Sequence, residues 1–383
     1  MSAAPPATGP GAAPDAGDRA PIPAHRPDLG PARGRFSALG LVFDSDIVAP
    51  WMEPAPAGAP ADVTVRIAPV PPAPEAAPVA GVWRLTGPGE MVQEASFMRI
   101  RITDGRRVEL DLSRASGTSR ETIALALGYG VTPGLLHQRG ALPLHAAAAA
   151  GPLGAALFVG DAGAGKSTFA AMLARSGWAL AGDDLIALDL DEDRPIGVHR
   201  AMRTARLFED SAQALARIDA PDPSPGLSPG LSPVHAPDPR PSLDRAPSRG
   251  VSEITGAGEG LGKGVRALAD ADAALGGFAW PVPLRAVFAL EWLHPDDAAP
   301  ELERIGGMQA LMRLRDAVGR PEVASALGRD PAYFAQLGRI AAQAPVYALR
   351  RPRRFDAAPA AAALARAAME EAAARAAAKE TSA

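Results

Sequence analysis

Gly160-Asp-Ala-Gly-Ala-Gly-Lys-Ser-Thr168 fits the pattern G-x-x-x-x-G-K-[S/T] and lies between two segments of regular structure. The five residues before it form a short, fully apolar run, which is typical of a buried strand. After it, Phe169, Met172 and Leu173 have the spacing of one buried helical face. A strand, a glycine-rich loop and a helix in this order predict a phosphate-binding loop.

Each chemical group that triphosphate binding needs is present in this stretch. The glycines let successive backbone N–H groups converge on the β-phosphate at the positive end of the helix. Lys166 is expected to reach the β- and γ-phosphates, and the Ser167 hydroxyl is expected to ligate Mg²⁺. The residues predicted to bind the triphosphate are Gly160, Asp161, Ala162, Gly163, Ala164, Gly165, Lys166, Ser167 and Thr168.

The composition excludes several classes of site and partner. The chain has 383 residues with 40 Pro and 39 Gly, so much of its length need not fold. A net charge of −4 without a basic face argues against a nucleic-acid partner. The lack of cysteine removes disulfides, thiolate metal sites and thiol nucleophiles. We expect a cytoplasmic protein without a membrane partner, because neither a secretory signal nor an apolar run long enough to cross a bilayer is visible.

The chain divides into segments by composition. Residues 1–34 are rich in Pro, Ala and Gly and are predicted to be a disordered leader. A small, mostly antiparallel β region follows over 35–135. The nucleotide core is expected over 136–356, interrupted by a disordered Pro/Ser/Gly-rich insertion at 219–250. The Ala-rich tail, 357–383, favours a helix but offers few bulky apolar side chains for packing.

Periodicity predicts the elements within these segments. Strands are predicted at 39–43, 63–67, 82–85, 97–102, 108–112, 155–159, 179–181, 185–188, 283–291 and 345–349. Helices are predicted at 121–127 with a loose continuation to 136, and at 168–175, 207–218 and 308–314.

An adjacent carboxylate pair, Asp183-Asp184, follows a short apolar strand, 17 and 18 residues after Lys166. The carboxyl end of that strand should lie on the same edge of the sheet as the loop. Two carboxylates there can divide the work of phosphoryl transfer: one holds Mg²⁺, and the other orients or deprotonates the attacking hydroxyl. The alternative is a polar strand end that caps the next turn.

His145 is a second candidate, in the segment 142–146 just before the nucleotide core. A lone histidine beside small residues is usually a core or turn residue, but this position favours a functional role. Arg203 and Arg206 are candidates for contact with phosphate or an acidic peptide, and a solvated helical face explains them equally well. Glu253 is a weaker candidate.

The run 157–184, with the preceding Leu142-Pro-Leu-His-Ala146, resembles the HPr serine kinase/phosphorylase family, in particular its diverged bacterial kinase-like relatives. The shared order is an apolar-His-Ala segment, the loop, an Arg-x-Gly helix end and an Asp-Asp pair. Segments 281–291 and 344–350 are similar to the closing strands of those relatives. The resemblance is strongest over 140–190.

The resemblance implies an α/β fold with a phosphate-loop core akin to that of phosphoenolpyruvate carboxykinases, beside the small β region. It implies an ATP-dependent kinase that phosphorylates a serine of a protein or peptide. By position, the loop and Lys166 would bind the triphosphate, Ser167 and Asp183 would hold Mg²⁺, and Asp184 would act as the acid/base with His145 nearby. Family members often form oligomers, so the resemblance leaves a homo-oligomer open.

Two departures from the family pattern concern the reverse reaction. The bifunctional enzymes have an acidic residue after the loop serine, where this chain has Thr168. Their Glu-Ile-x-Gly-x-Gly stretch is matched by Glu253-Ile-Thr-Gly-Ala-Gly258, but without the apolar continuation. We therefore expect a kinase without phosphorylase activity and with an acceptor other than HPr. Two other functions stay open: an ATP-binding regulatory or interaction module without transfer, and a small-molecule kinase.

Overall fold

The fold is mixed α/β, with two large β-sheets and several helices. The computed structural model describes residues 33–48, 52–175, 177–201, 204–208, 263–267, 279–294 and 299–381. The predicted leader lies outside these ranges up to residue 32, and the first strand begins at Gly34. The predicted insertion at 219–250 also lies outside them.

The N-terminal sheet is mostly antiparallel, as predicted. Its strands are β1 (Gly34–Ala38), β2 (Leu41–Ser45), β3 (Glu53–Pro54), β4 (Val63–Ile67), β5 (Val79–Ala80), β6 (Trp83–Gly87), β7 (Glu90–Glu94), β8 (Arg99–Thr103) and β9 (Arg107–Asp111). Their order is β3-β1-β2-β4-β9-β8-β7-β6-β5, and the β2–β4 and β4–β9 pairs are parallel. The strands predicted at 63–67, 82–85, 97–102 and 108–112 are confirmed, with ends shifted by up to two residues.

The strand predicted at 39–43 is wrong at its start, because Leu39 and Gly40 form a turn. Both residues have positive φ, 56° and 77°, and they join β1 to β2 as a hairpin in which Ala38 pairs with Leu41. Positive φ at both central residues is the geometry of the hairpin turn that matches the twist of paired strands. Because the side chain of Leu39 is apolar, the hydrophobic pattern predicted a strand here and gave no sign of the turn.

A continuous helical run joins the two sheets. It consists of α1 (Arg120–Leu125), a π-helix (Ala126–Val131) and α2 (Thr132–Arg139), which confirms the predicted helix and its continuation. Ser119 caps the start of the run by accepting a hydrogen bond from the Thr122 N–H. All residues of the π-helix are buried.

The second sheet carries the strands of the predicted nucleotide core. Its strands are β10 (Pro143–Leu144), β11 (Ala147–Gly151), β12 (Gly154–Val159), β13 (Ala179–Gly182), β14 (Ile186–Asp189), β15 (Gly197–Val198), β18 (Val282–Leu293), β19 (Glu301–Ile305) and β20 (Val346–Pro352); β16 (Thr204–Phe208) and β17 (Lys263–Ala267) form a separate antiparallel pair. β12, β18 and β20 are parallel neighbours, and β11 lies antiparallel between β12 and β13. The strands predicted at 155–159, 179–181, 185–188, 283–291 and 345–349 are confirmed.

The helix predicted at 207–218 is wrong at its start. Leu207 and Phe208 belong to β16, which pairs with β17 along its whole length. Pairing with a strand more than fifty residues away outweighs local helix propensity at this point, as strand context often does. The rest of that predicted helix, 209–218, lies outside the described residues.

Helices cover both faces of the second sheet. They are α3 (Lys166–Arg175), α4 (Gly307–Asp316), α5 (Pro321–Ala326), α6 (Asp330–Gln343) and α7 (Ala358–Thr381), which confirms the helices predicted at 168–175, 308–314 and in the tail. Leu157 of β12 packs in one cluster with α4 and α6, and its neighbour Phe158 packs in another with α3 and α7. A strand that is buried on both faces has apolar residues at every position, and this explains the continuous apolar sequence of β12.

The Ala-rich tail packs more closely than its composition suggested. Ala361, Ala365, Ala368 and Met369 of α7 are at most 5% exposed and lie in the same cluster as Phe158 and α3. Small side chains bring the helix near the sheet, so that this face is buried mainly by alanine, with Met369 beside it. None of the described helices combines the length and apolar character that crossing a bilayer requires.

The two sheets share part of one hydrophobic core. Leu185 and Ala201 of the second half belong to the same buried cluster as the strands of the N-terminal sheet. The tip of the β1–β2 hairpin is tied to the second half, because the Leu39 N–H donates to the carbonyl oxygen of Arg200 at 2.6 Å. The N-terminal sheet therefore lies against the residues that follow β13.

Candidate active site

Strand direction gathers the predicted site residues at one edge of the second sheet, here named the loop edge. β12 and β13 both run antiparallel to β11, so their carboxyl ends lie on the same side, beside the start of β11. The loop 160–165 leaves β12 at this edge, Asp183-Asp184 leaves β13, and His145 comes just before β11. β18 and β20 are parallel to β12 and also end here.

The loop 160–165 has a backbone that favours glycine at three positions. Gly160, Gly163 and Gly165 have φ values of 137°, 84° and 85°, a region that side chains rarely adopt. A side-chain carbon at Gly160 would lie 2.7 Å from the carbonyl oxygen of Leu290, and one at Gly165 would overlap Nη2 of Arg351. The glycines thus let the loop lie closely against β18 and β20.

Lys166 opens α3 with its ammonium turned back over the loop. Its Nζ donates to the carbonyl oxygens of Gly160 at 2.7 Å and Asp161 at 3.2 Å, and the residue is 7% exposed. The first N–H groups of a helix have no partner within the helix, and they lie at its positive end. Asp161 and Ala162, at the tip of the loop, are exposed to solvent.

Asp184 and His145 form a pair at the loop edge. The Nδ1 atom of His145 lies 3.3 Å from Oδ1 and 3.2 Å from the backbone oxygen of Asp184. Asp184 has a φ of 69°, and non-glycine residues with such values concentrate at functional sites. Asp183, directly before it, is 2% exposed. The structure therefore brings together the histidine and the carboxylate that the sequence singled out.

Arg351 and Trp292 support the loop from β20 and β18, and no sequence pattern indicated them. Nη2 of Arg351 donates to the Ala164 carbonyl oxygen at 3.0 Å, and its guanidinium carbon lies 4.1 Å from the centre of the Trp292 ring. The indole N–H of Trp292 donates to the Gly163 carbonyl oxygen at 3.1 Å. Both residues lie near the carboxyl ends of their strands and match no motif, so only the pairing of β18 with β20 reveals them.

The charge of Arg351 is buried without a carboxylate beside it among the described residues. The side chain is 5% exposed, and its Nε atom has no hydrogen-bond partner in that part of the chain. Burial lowers the pKa of Arg351 to about 10, so the guanidinium is protonated at neutral pH. A buried cation of this kind is stabilised by an anion nearby.

Arg320 brings a further positive charge towards Asp184. Its φ is 56°, and its segment is fixed to the loop edge because the His145 N–H donates to the Ala317 carbonyl oxygen at 2.7 Å. Burial lowers the pKa of Arg320, and the negative charges of Glu322 and Asp184 act in the opposite direction. Arg320 lies in a turn more than 130 residues from Asp184, where no local signal could identify it.

Of the weaker sequence candidates, the described part of the chain contains only the backbone of Arg206. Arg203 and Glu253 lie outside the described residues. Arg206 belongs to β16, in the separate two-stranded pair. Neither the loop nor the Asp183-Asp184 pair shares a sheet with Arg206.

The donor set at the loop edge fits a magnesium ion that is bound together with phosphates. Among the described residues, no group of three or more His, Asp or Glu side chains could hold a metal ion by itself. Mg²⁺ usually takes one or two carboxylates and completes its six ligands with water and substrate phosphates. The Ser167 hydroxyl and the Asp183 carboxylate are oxygen donors of the required kind.

Two comparisons of the sequence with known proteins identify no relative. No model of a known protein family matches the sequence, and a comparison with curated proteins gives no significant match. The likeness to the HPr kinase family therefore rests on the residues of the loop, His145 and the Asp183-Asp184 pair.

Proposed function

We propose that this protein is an ATP-dependent serine kinase that transfers the γ-phosphoryl group of Mg·ATP to a serine of a protein or peptide. The observation that carries the proposal is the His145–Asp184 pair at the same sheet edge as the glycine-rich loop. A strand–loop–helix of this kind suits a triphosphate, and a carboxylate beside it suits a hydroxyl acceptor. A reaction that consumes ATP is also the reason to propose a cytoplasmic location.

The charges around the loop support the binding of a polyanion. The buried ammonium of Lys166 and the buried guanidinium of Arg351 both donate to carbonyl oxygens of the loop. Phosphate oxygens would accept hydrogen bonds from the first N–H groups of α3 and from Lys166. Lys166 would then exchange its bonds to the loop carbonyls for bonds to the β- and γ-phosphates, which we propose as its role in ATP binding.

Asp184 is proposed as the base of the transfer step. Its carboxylate accepts the proton of the serine hydroxyl while the serine oxygen forms a bond to the γ-phosphorus, and the bond from that phosphorus to the β,γ-bridging oxygen breaks. The bridging oxygen keeps the electron pair, and ADP leaves. The Nδ1 atom of His145 lies 3.3 Å from Oδ1 of Asp184, so a proton on this nitrogen would hold the carboxylate in place. Mg²⁺, held by Ser167 and Asp183, would neutralise charge on the phosphates.

The proposed reaction runs in the direction of phosphorylation alone. Thr168 follows the loop serine where the bifunctional relatives carry an acid, and this substitution removes a carboxylate from the start of α3. We therefore expect that a phosphoserine product is not attacked by phosphate at a measurable rate. Incubation of the phosphorylated product with excess phosphate tests this expectation directly.

The proposal is tested by incubation of the protein with γ-labelled ATP and either cell extract or serine peptides. A labelled protein or peptide supports the kinase, and Lys166→Ala should abolish both the label and ATP binding. Tight ATP binding with no transfer to any acceptor would instead favour a regulatory module. Transfer to small alcohols but not to peptides would favour a small-molecule kinase.

A further inference from the structure

The indole ring of Trp292 is an exposed aromatic surface at the loop edge. Trp292 lies near the carboxyl end of β18, and the residue is 36% exposed, whereas the preceding residues 286–290 of the same strand are all buried. Single exposed apolar side chains are common on protein surfaces. Trp292 differs from such residues because its ring is fixed against the predicted triphosphate loop.

Two contacts fix the orientation of this ring. Its N–H donates to the Gly163 carbonyl oxygen at 3.1 Å, and the guanidinium carbon of Arg351 lies 4.1 Å from the ring centre. Arg351 is 5% exposed, so the ring covers this buried guanidinium. The exposure of Trp292 therefore belongs to the side of the ring that is turned away from Arg351, here named the outer face.

Arg353 is the second cation near the ring, and it leaves the outer face accessible. Its guanidinium carbon lies 5.8 Å from the ring centre, and the residue itself is exposed. A long, exposed side chain at this distance can turn away from an arriving ligand. The buried Arg351, in contrast, stays between the ring and the loop.

Strand order places Trp292 and Asp184 on opposite sides of the loop. β12, which leads into the loop, has β18 as its neighbour on one side and β11 on the other, and β13 lies beyond β11. Trp292 belongs to β18, and Asp184 follows β13. Neighbouring strands are about 4.8 Å apart, so β18 and β13 are separated by about 14 Å.

The direction of the proposed transfer decides which end of the nucleotide lies near Trp292. The γ-phosphorus must lie beside Asp184, because that carboxylate takes the proton of the attacking hydroxyl. The rest of the molecule then extends across the loop towards β18. An extended nucleoside triphosphate can span the distance between these strands, and its base is the end that reaches Trp292.

We propose that the outer face of Trp292 stacks the base of the bound ATP. Every nucleobase has a flat π surface that stacks on aromatic side chains. The inference rests on the proposed function, and it assigns a residue to the nucleoside, whereas the loop and Lys166 are assigned to the phosphates. Arg351 and the Gly163 carbonyl oxygen hold the ring in place before the base arrives, which lowers the cost of ordering it.

The test measures binding by calorimetry with the full chain, using Mg·ATP and inorganic tripolyphosphate, which has the phosphates but no base. Stacking of one base on an aromatic side chain corresponds to about 5–150-fold in Kd. Trp292→Ala should therefore raise the Kd for ATP by about this factor and leave the Kd for tripolyphosphate within about twofold of wild type. Trp292→Phe keeps a ring without the N–H, and its Kd for ATP should stay within about fivefold of wild type.

A matched control removes another exposed aromatic side chain. Phe334 lies on α6 and is 54% exposed, and Phe334→Ala should leave the Kd for both ligands unchanged. Thermal unfolding of all the variants reports any loss of folding.

The outcomes distinguish this inference from the proposed function. If Trp292→Ala binds ATP as tightly as wild type, or if it loses the same factor for ATP and for tripolyphosphate, Trp292 does not stack the base and the kinase proposal stands. A Trp292→Phe variant that binds ATP as weakly as Trp292→Ala would also overturn the inference. If the wild-type protein binds no nucleotide, the kinase proposal fails, and this inference fails with it.

Discussion

Two glycines of the loop differ in the space that is available for an added side chain. Gly163 and Gly165 have nearly the same φ, 84° and 85°, but Gly163 has open space around it and Gly165 lies against Arg351. Gly163→Ala should cost about 1–2 kcal/mol of unfolding free energy from backbone strain alone. Gly165→Ala should cost about 1–3 kcal/mol more, since Arg351 must move, and it should also weaken ATP binding. Chemical denaturation and calorimetric ATP titration measure both effects; equal losses in the two variants would contradict the packing described.

Arg351 donates a hydrogen bond to the loop and places a buried positive charge next to it. We expect Arg351→Met to raise the Kd for ATP by about tenfold or more, which corresponds to at least about 1.4 kcal/mol. Arg353→Met is the matched control, because Arg353 is exposed and its guanidinium carbon lies 5.8 Å from the Trp292 ring. Fluorescence of Trp292 during ATP titration is a suitable readout. Equal ATP affinity in both variants would show that the buried charge plays no part in binding.

At the scale of elements, His137 ties α2 to the turn that carries Arg320. It is fully buried, with Nε2 2.8 Å from the Gly319 carbonyl oxygen and Nδ1 3.0 Å from the Tyr333 hydroxyl. Burial lowers the pKa of His137 to about 4 from its usual 6.5. The unfolded chain therefore binds more protons between these pH values, so acidification through this window favours unfolding.

The resulting loss of stability should be large enough to measure. A pKa difference from 6.5 to about 4 corresponds to about 3 kcal/mol, lost as the pH falls from about 6.5 to about 4. In the His137→Gln variant, the free energy of unfolding should no longer fall by this amount over the same pH range. The variant is also expected to be less stable than the wild type at neutral pH. Urea denaturation at several pH values gives the curve. The same pH dependence in the variant and the wild type would rule out this role of His137.

At the scale of the whole molecule, the β1–β2 hairpin couples the N-terminal sheet to the second half. A side-chain carbon at Gly40 would lie 2.6 Å from the His199 ring, whereas Gly58 has similar positive φ and nothing nearby. Gly40→Ala should displace the hairpin and cost about 1–3 kcal/mol of unfolding free energy beyond backbone strain, because the His199 ring must move. Gly58→Ala should cost only the strain, about 1–2 kcal/mol. Chemical denaturation measures both losses, and equal losses would contradict this contact between the two halves.

The sequence predicted the parts of this molecule that local patterns encode. The loop, its flanking strand and helix, and the Asp183-Asp184 pair all lie within thirty residues, and their spacing was sufficient to place them on one edge. Arg320, Trp292 and Arg351 reach that edge through sheet pairing and a distant turn, so no short pattern could reveal them. The hairpin at Leu39 and the strand β16 were misread because tertiary packing, not periodicity, determines them.

The most direct test of the kinase proposal compares Asp184→Asn with wild type in single-turnover transfer from γ-labelled ATP to an acceptor peptide. We predict that ATP affinity stays within about twofold while the transfer rate falls by about 10²–10⁴-fold, the range expected for loss of a general base. Asp193→Asn, at an exposed turn, should transfer at the wild-type rate. Transfer by Asp184→Asn at the wild-type rate would contradict the account.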